Sequence, residues 1–433
     1  SQVSPAIFGS MFQGVMDEKQ RRNLGAHYTS EVNILKVIKP LFLDDLYAEF
    51  AQVRHQKKKL AEFHDKLTKL TFLDPACGCG NFLVITYREL RKLEHKVLEA
   101  LYGKTMGMFD VGEHGVVKCD VDQMYGIEIE EFPSLIAETA LWLTDHQMNN
   151  EFSKESGKTF KRIPLVKHAN IHNANALTLE WADVIEPSKL NYILGNPPFL
   201  GQTYQSKEQK EEVAQVLTDI KKTGVLDFVS AWYGKAVGMM QQNPLIQSAL
   251  VSTNSITQGE QVGILWKYLT DKGVRINFAH RTFKWMNDAK GNAGVHCVII
   301  GFSLFDKSTK QLFEYEDIKS EPVEIIVSSI SPYLTATNQY SNSITATARI
   351  VSQSTDVRVT GQLPSFIVSR NKPICDVPEI VWGNKPVDGG NLVLNDAEKL
   401  TLLDRQPNAS KYIKPLISAR EYLNGQNRWC LWL

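Results

Sequence analysis

Neither sign of charge prevails in this 433-residue chain, which carries 48 Lys and Arg against 48 Asp and Glu. Net charge therefore neither draws it to nucleic acid nor excludes that partner, and any phosphate contact has to come from local basic patches. Long apolar runs are also missing: none approaches the roughly 20 residues that cross a bilayer as a helix, and no charged and apolar leader stands before the first residues. Cysteine is scarce, with six at irregular positions, which gives no disulfide framework. The expectation is a soluble, intracellular protein. Cys77 and Cys79 form a C-x-C, but no second C-x-C, C-x-x-C or H-x-H pair lies at a workable spacing. No metal site is expected, and the two read as small residues in a tight loop. No internal repeat or low-complexity tract stands out, so the organisation is read from alternating strand and helix signals.

At this length, and with 43% hydrophobic residues, two domains are expected. A short strand at 70–73 leads through a glycine loop at 77–80 into a helical pattern from Phe82 to about Leu101. Residues 125–129 followed by 132–148 repeat this β-loop-α unit, with Pro133 in the first helical turn and Leu135, Ile136, Ala140 and Leu143 on one face. A further apolar strand at 190–194 is stopped by Gly195-Asn196-Pro197-Pro198, where neither proline can donate to a ladder. Helices near 207–222 and 228–242 and strands near 249–252, 275–281 and 295–305 continue the alternation. The pattern predicts an α/β fold with a parallel or mostly parallel sheet covered on both faces. After about Asp306, β-branched and serine-rich stretches such as 343–360 and turn signals such as Asp388-Gly389-Gly390 point to a second, β-rich domain. The closing Trp429-Cys430-Leu431-Trp432-Leu433 reads as a strand waiting for a partner, as in a chain cut from a longer one.

Three constellations carry chemistry. Asp74-Pro75-Ala76-Cys77-Gly78-Cys79-Gly80-Asn81-Phe82 joins a strand end to a helix, the place where loops of a doubly wound sheet diverge and leave a ligand crevice. Gly78 and Gly80 let the backbone approach a ligand, and Asp74 offers an anion to a cation such as an amino-acid ammonium. Such a loop alone could serve a dinucleotide or merely close a turn. Glu128, ending the next strand before Ile129, can accept both hydrogen bonds of a ribose diol or can simply favour the helix start after it. Asn196-Pro197-Pro198-Phe199 is the specific one. An aromatic amine has to be reoriented before its lone pair can attack a methyl donor. The Asn196 side-chain oxygen and the Pro197 carbonyl can accept its two N–H bonds. Phe199 offers a face on which a flipped base stacks. No general base is obviously required, so alignment does most of the work.

This set resembles the class I S-adenosylmethionine-dependent DNA amino-methyltransferases, whose fold is a Rossmann-like, doubly wound sheet. The resemblance implies donor contacts at Asp74, Ala76, Cys77, Gly78, Gly80, Asn81, Phe82, Glu128 and Ile129, and catalysis at Asn196 to Phe199, with Asn196 also beside the donor. An Asn in first place goes mostly with adenine N6. Arg22 to Ser30 is similar to the donor segment that precedes the glycine loop in the gamma arrangement, with Tyr28 and Thr29 folding over the methionine end. Asn175-Ala176-Leu177 resembles the segment that contacts the donor's adenine, although the family often has Asp at the first position. Asp227-Phe228-Val229 resembles a later donor-pocket segment and reads equally well as a helix cap.

Residues 278–285 and 295–301, with Gly25 to Glu31 and the closing Cys430 to Leu433, are similar to single-chain restriction-modification enzymes of the MmeI kind, type IIG or IIL. That implies residues 1–20 as the end of a helical connector, 21–308 as a gamma-class adenine methyltransferase and 309–433 as part of a target-recognition domain. Implied partners are S-adenosylmethionine, double-stranded DNA and a nuclease domain of the same full-length chain, in a bacterial cytoplasm. No convincing nuclease set stands in this chain, so cleavage is not expected of it. Arg281 and Lys284, interleaved with Phe283 and Trp285, are the best DNA-facing charges, ahead of Lys207 to Lys222; Lys57 to Lys59 read as a solvated face. The alternatives are an RNA or protein-amide methyltransferase, which would not need the long C-terminal region, and a DNA-recognition module that keeps the donor as an allosteric ligand for a nuclease elsewhere.

Overall fold

Side chains of β1 (Phe72–Asp74) divide between two cores, Phe72 entering one and Leu73 the other, as a strand covered on both faces requires. The computed structural model describes residues 29–103, 117–156, 169–285, 295–317, 320–336, 376–377 and 391–432. The β-branched and serine-rich stretch at 343–360 and the Asp388-Gly389-Gly390 turn lie outside these residues, as do the connector at 1–20 and Tyr28. The chain divides into two compact units, Ser1–Ser369 and Arg370–Leu433.

In the first unit β1 lies inside a nine-stranded sheet with β2 (Met124–Glu128), β3 (Asn170–Asn173), β4 (Tyr192–Gly195), β5 (Gln247–Thr253), β6 (Arg275–Trp285), β7 (Val295–Ser303), β8 (Lys310–Glu314) and β9 (Val323–Val327). The order is β3-β2-β1-β4-β5-β7-β6-β8-β9. The first five are mutually parallel, β7 runs antiparallel between β5 and β6, β8 is parallel to β6, and β9 returns antiparallel along β8. This is the mostly parallel, doubly wound α/β sheet that the alternation predicts. The chain steps outward from β1 to β2 and β3 and then crosses back to β4, so the strand order reverses between β1 and β4 and a crevice opens beyond their carboxyl ends.

One core lies under α1 (Glu31–Ile38), α3 (Lys57–Leu67), α4 (Asn81–Tyr102) and α5 (Glu131–Ser156), with α2 (Asp44–Val53) following α1 through a π-helical turn; the other lies under α6 (Lys207–Val216) and α7 (Ser230–Gln242). Arg91 of α4 is fully buried; its Nη atoms bond Asp145 at 2.6 Å and Asn149 at 2.8 Å and its Nε lies 3.2 Å from Glu94 as an ion pair, while Glu94 takes His64 at 2.9 Å. These bonds tie α3, α4 and α5 together, and a buried charge left without them would cost several kcal/mol, about 3–5.

Two helix expectations need correction. The face that α5 buries includes Ser134, Ala137, Leu141, Thr144 and Met148 along with the expected Ala140, whereas Leu135 is 53% exposed. Small residues win this face because Ala137 packs against Gly80. The helix expected to reach Lys222 stops at Val216, because Leu217 turns into the core above Gly234, where a Cβ would come within 2.6 Å of its side chain. Strand β3 has no apolar alternation, which is why Asn170-Ile171-His172-Asn173 escapes a periodicity search.

In the second unit β12 (Trp429–Leu431) is the expected closing strand, and it pairs antiparallel on both sides with β10 (Val393–Leu394) and β11 (Ile413–Pro415). The helix Asp396–Arg405 between them starts on a capping box of Asn395 and Glu398. Among the described residues, no helix is long and apolar enough to cross a membrane.

Candidate active site

The end of β1 delivers Asp74 into the crevice. Its carboxylate is 1% exposed and accepts a hydrogen bond from Ala76 N at 3.1 Å. Burial, with the charge of Glu128 nearby, pushes its pKa up to about 8. Cys77 N donates to Ile127 O at 3.0 Å and Gly80 N to Cys77 O at 2.8 Å, so the loop is pinned to β2 and closed on itself. Both glycines adopt left-handed backbone, Gly78 at φ 54° and Gly80 at φ 81°, but their surroundings differ. A Cβ on Gly80 would meet Ala137 Cβ at 2.8 Å and its Cα at 3.0 Å, whereas one on Gly78 would find nothing within 4 Å. Gly80 serves helix packing, and Gly78 borders open space.

Glu128 ends β2 opposite this loop. It accepts Gly78 N at 2.8 Å and Glu130 N at 3.0 Å, and burial raises its pKa. Among the described residues, neither Asp74 nor Glu128 has an ion-pair partner. Cys77 and Cys79 are buried thiols, Cys79 pushed up to about 12 by burial, and so stay neutral. Asn81 opens α4 with its Oδ1 buried and unpartnered; Phe82 enters the core.

The acceptor segment follows β4. A Cβ on Gly195 would come within 2.5 Å of Asp74 Oδ1, so the donor loop and the turn at Asn196 are packed side by side. Asn196 Nδ2 donates to Thr29 Oγ1 at 3.3 Å, while Asn196 Oδ1 is buried without a hydrogen-bond partner among the described residues. Pro197 is buried, and Phe199 packs against the edges of both cores. An unsatisfied buried acceptor costs free energy and calls for a reason; this one shares that state with other buried atoms of the described residues but alone among them lies in a Pro-Pro turn at the crevice.

Known proteins show the same arrangement of sequence and fold. Residues 50–314 match the family described as MmeI, DNA-methyltransferase domain, and residues 362–433 match MmeI, target recognition domain. The chain belongs to the MmeI family. DNA methyltransferase A of Bacillus subtilis (strain 168) is 40% identical over 439 residues, covering 100% of this chain and 46% of its own. The solved structure of the type IIL restriction-modification enzyme MmeI in complex with DNA is 50% identical, with a TM-score of 0.87, over 100% of this chain and 54% of that one. The chain thus spans about half the length of these relatives.

In this MmeI-family chain the remaining expected residues divide into those gathered at the crevice and those held elsewhere. Ile129, beside Glu128, is 55% exposed. Asn175 shapes the turn after β3 by accepting Leu177 N at 2.9 Å, and its Nδ2 donates to Glu212 at 2.6 Å; Ala176 is buried and its carbonyl accepts Trp181 Nε1. Thr29 is buried beside Asn196. Arg281 pairs with Glu314 at 2.8 Å on the surface, while Phe283 and Trp285 enter the core and Lys284 is half-buried. Those two rings therefore offer no stacking face. Sequence reading missed Asn173, whose Nδ2 donates to the carbonyls of Glu128 and Ile129 at 3.0 Å, and Gln205, buried behind Leu200. Nothing in the local pattern of either residue distinguishes it from a loop amide.

Proposed function

We propose that this chain is the modification part of a single-chain restriction-modification enzyme of the bacterial cytoplasm. It transfers a methyl group from S-adenosylmethionine to N6 of an adenine flipped out of duplex DNA at a specific site, protecting what a nuclease region of the full-length protein would cut. The carrying observation is Asn196 Oδ1, a buried acceptor without a partner among the described residues, in a turn packed against buried Asp74, which like Glu128 has no ion-pair partner among those residues. The region division is proposed as 1–20 connector, 21–308 methyltransferase and 309–433 recognition, with β8 and β9 hydrogen-bonded into the first sheet. The cofactor, the adenine and the duplex belong to this proposal, as does Arg281 with Lys284 as a DNA contact.

The residues present fit that donor. S-adenosylmethionine carries sulfonium and ammonium charges, which Asp74 and Glu128 would welcome; the pyrophosphate of a dinucleotide would meet the same carboxylates as repulsion. Tyr28, Thr29, Asp74, Ala76, Cys77, Gly78, Gly80, Asn81, Phe82, Glu128, Ile129, Asn175, Ala176 and Asn196 are the residues proposed to hold it. When bound it supplies an electrophilic methyl group. Asn196 Oδ1 and the Pro197 carbonyl accept the N–H groups of the amine and turn its lone pair toward that methyl, and Phe199 supports the ring. The full-length protein, radiolabelled donor and unmethylated duplex DNA test this directly, with the labelled nucleoside identified after digestion. Label in N6-methyladenine is expected. Asn196→Ala should abolish transfer while donor affinity, read by calorimetry, stays within about threefold, because transfer needs its Oδ1 on the amine whereas the donor, which it only borders, keeps its other contacts. Label found only in RNA or protein would sink the DNA reading.

A further inference from the structure

The tetrapeptide Asn196 to Phe199 is bracketed. On its N-terminal side Gly195 is held in register with Leu250 of β5. On its C-terminal side Leu200 has both backbone groups tied down. Its N–H donates to Asp227 Oδ1 at 2.9 Å, and its carbonyl accepts Gln205 Nε2 at 2.7 Å and Phe228 N at 3.1 Å. Neither clamp residue is idle elsewhere. Gln205 Nε2 also donates to Leu226 O at 2.9 Å, which joins the two strands of chain that flank α6. Asp227 Oδ1 takes Val229 N at 3.2 Å, its Oδ2 takes Thr253 Oγ1 at 3.2 Å from the end of β5, and its own N–H donates to Gln261 Oε1 at 2.9 Å. Both side chains are buried.

We infer that Gln205 and Asp227 are positioning residues that lock Leu200 and thereby fix Phe199 and the Pro197 carbonyl for methyl transfer. The inference rests on Asn196 to Phe199 being the acceptor site. Residue 200 follows Phe199 directly, so freedom at its peptide groups becomes freedom of the ring and of the turn before it. The partners of Asp227 are all neutral donors, and burial raises its pKa. What the site needs there is an acceptor oxygen, not a charge. An amide at 227 still offers Oδ1 to Leu200, and the hydroxyl of Thr253 can rotate to accept from the new NH₂. Gln205 works the other way, as a donor shared by two carbonyls; methionine fills the same space and donates nothing.

The test uses the full-length protein as wild type, Gln205→Met, Asp227→Asn and Asp227→Ala. Single-turnover transfer to duplex DNA, donor affinity and amide hydrogen exchange of the peptide spanning 196–206 are each measured. Gln205→Met and Asp227→Ala should transfer about 10- to 100-fold more slowly with donor affinity within about threefold, since small misplacement of reacting groups has losses of that size. The 196–206 peptide should exchange faster in both, and Asp227→Asn should restore rate and protection. If Asp227→Ala does not fold, Gln205→Met decides alone. A Gln205→Met rate within about twofold of wild type overturns the inference, whatever the exchange shows. Wild-type protein that methylates no DNA overturns the functional proposal instead; the clamp is then read from exchange, and unchanged protection of 196–206 overturns it.

Discussion

Asp74 shows how a single side chain can work against stability in order to bind. Its carboxyl is buried, accepts one backbone hydrogen bond and has a pKa of about 8, so at neutral pH the ligand-free protein holds a proton that a cationic donor would drive off. Two consequences follow from the sign. Donor affinity should rise with pH up to about 8, by at most about tenfold per unit, because only the ionised carboxylate attracts the ligand. Asp74→Asn should keep the bond from Ala76 N yet lose donor affinity by about 100-fold or more, while the ligand-free variant melts above wild type at pH 8. Isothermal calorimetry across pH and paired thermal melts check both, and a variant that binds donor normally would remove Asp74 from the site. The place of this residue was legible because an apolar run that ends in an acid before G-x-G sets that acid at the carboxyl edge of a strand. Thr29 was only half legible: the segment pointed to the donor, whereas the side chain bonds to Asn196 Nδ2, a contact across 167 residues that no local pattern carries.

At the scale of elements, the glycine loop separates two jobs that its sequence writes in the same letter. Gly80→Ala forces a Cβ onto Ala137 backbone and side chain in a left-handed conformation; a loss of about 1–3 kcal/mol in urea unfolding is expected. Gly78→Ala meets no clash, so its stability loss should stay near the left-handed penalty of about 1–2 kcal/mol. Its methyl group stands on the open side of the loop, however, and donor affinity should fall more than for Gly80→Ala. Equal effects of the two on both readouts would mean that the loop does not divide the work this way. Strands β1, β2, β4 and β5 and helices α4 and α7 were legible because apolar runs are bounded there by glycine, proline or polar turns. Strand β3 and the true face of α5 were not, since one is a polar edge and the other is chosen by close approach to Gly80. Asparagine and glutamine anchors such as Asn173 and Gln205 become recognisable only when the carbonyls that they bind are in place.

For the whole molecule, the balanced charge of the chain leaves its pH response to a few buried groups. Between about pH 7 and pH 8 the two buried histidines add little: burial pushes His280 to about 3 and His95 to about 4 in the folded state, and an unfolded imidazole, titrating near 6.5, is mostly neutral there too. Ordinary carboxylates are ionised in both states. Asp74 alone has a pKa placed at about 8, and the burial-raised Glu128 and Asp227 shift in the same direction. In this window the folded state binds more protons than the unfolded one, so stability is lost as pH rises. The ligand-free protein should therefore lose roughly 1 kcal/mol between pH 7 and pH 8, below the limit of about 1.4 kcal/mol per unit for one whole proton because Asp74 is half ionised by pH 8. Asp74→Asn should flatten most of that slope. Below pH 6.5 the two buried histidines act oppositely, since their unfolded forms take up protons that the folded forms refuse, and stability should fall toward acid in the Asp74→Asn background, where this limb is read cleanly. Saturating S-adenosylmethionine should flatten the alkaline limb of the wild type as well, because a carboxylate paired with a cation no longer needs its proton. Chemical denaturation at a series of pH values, with and without donor, decides it: an alkaline limb that Asp74→Asn leaves unchanged would place the titrating group elsewhere.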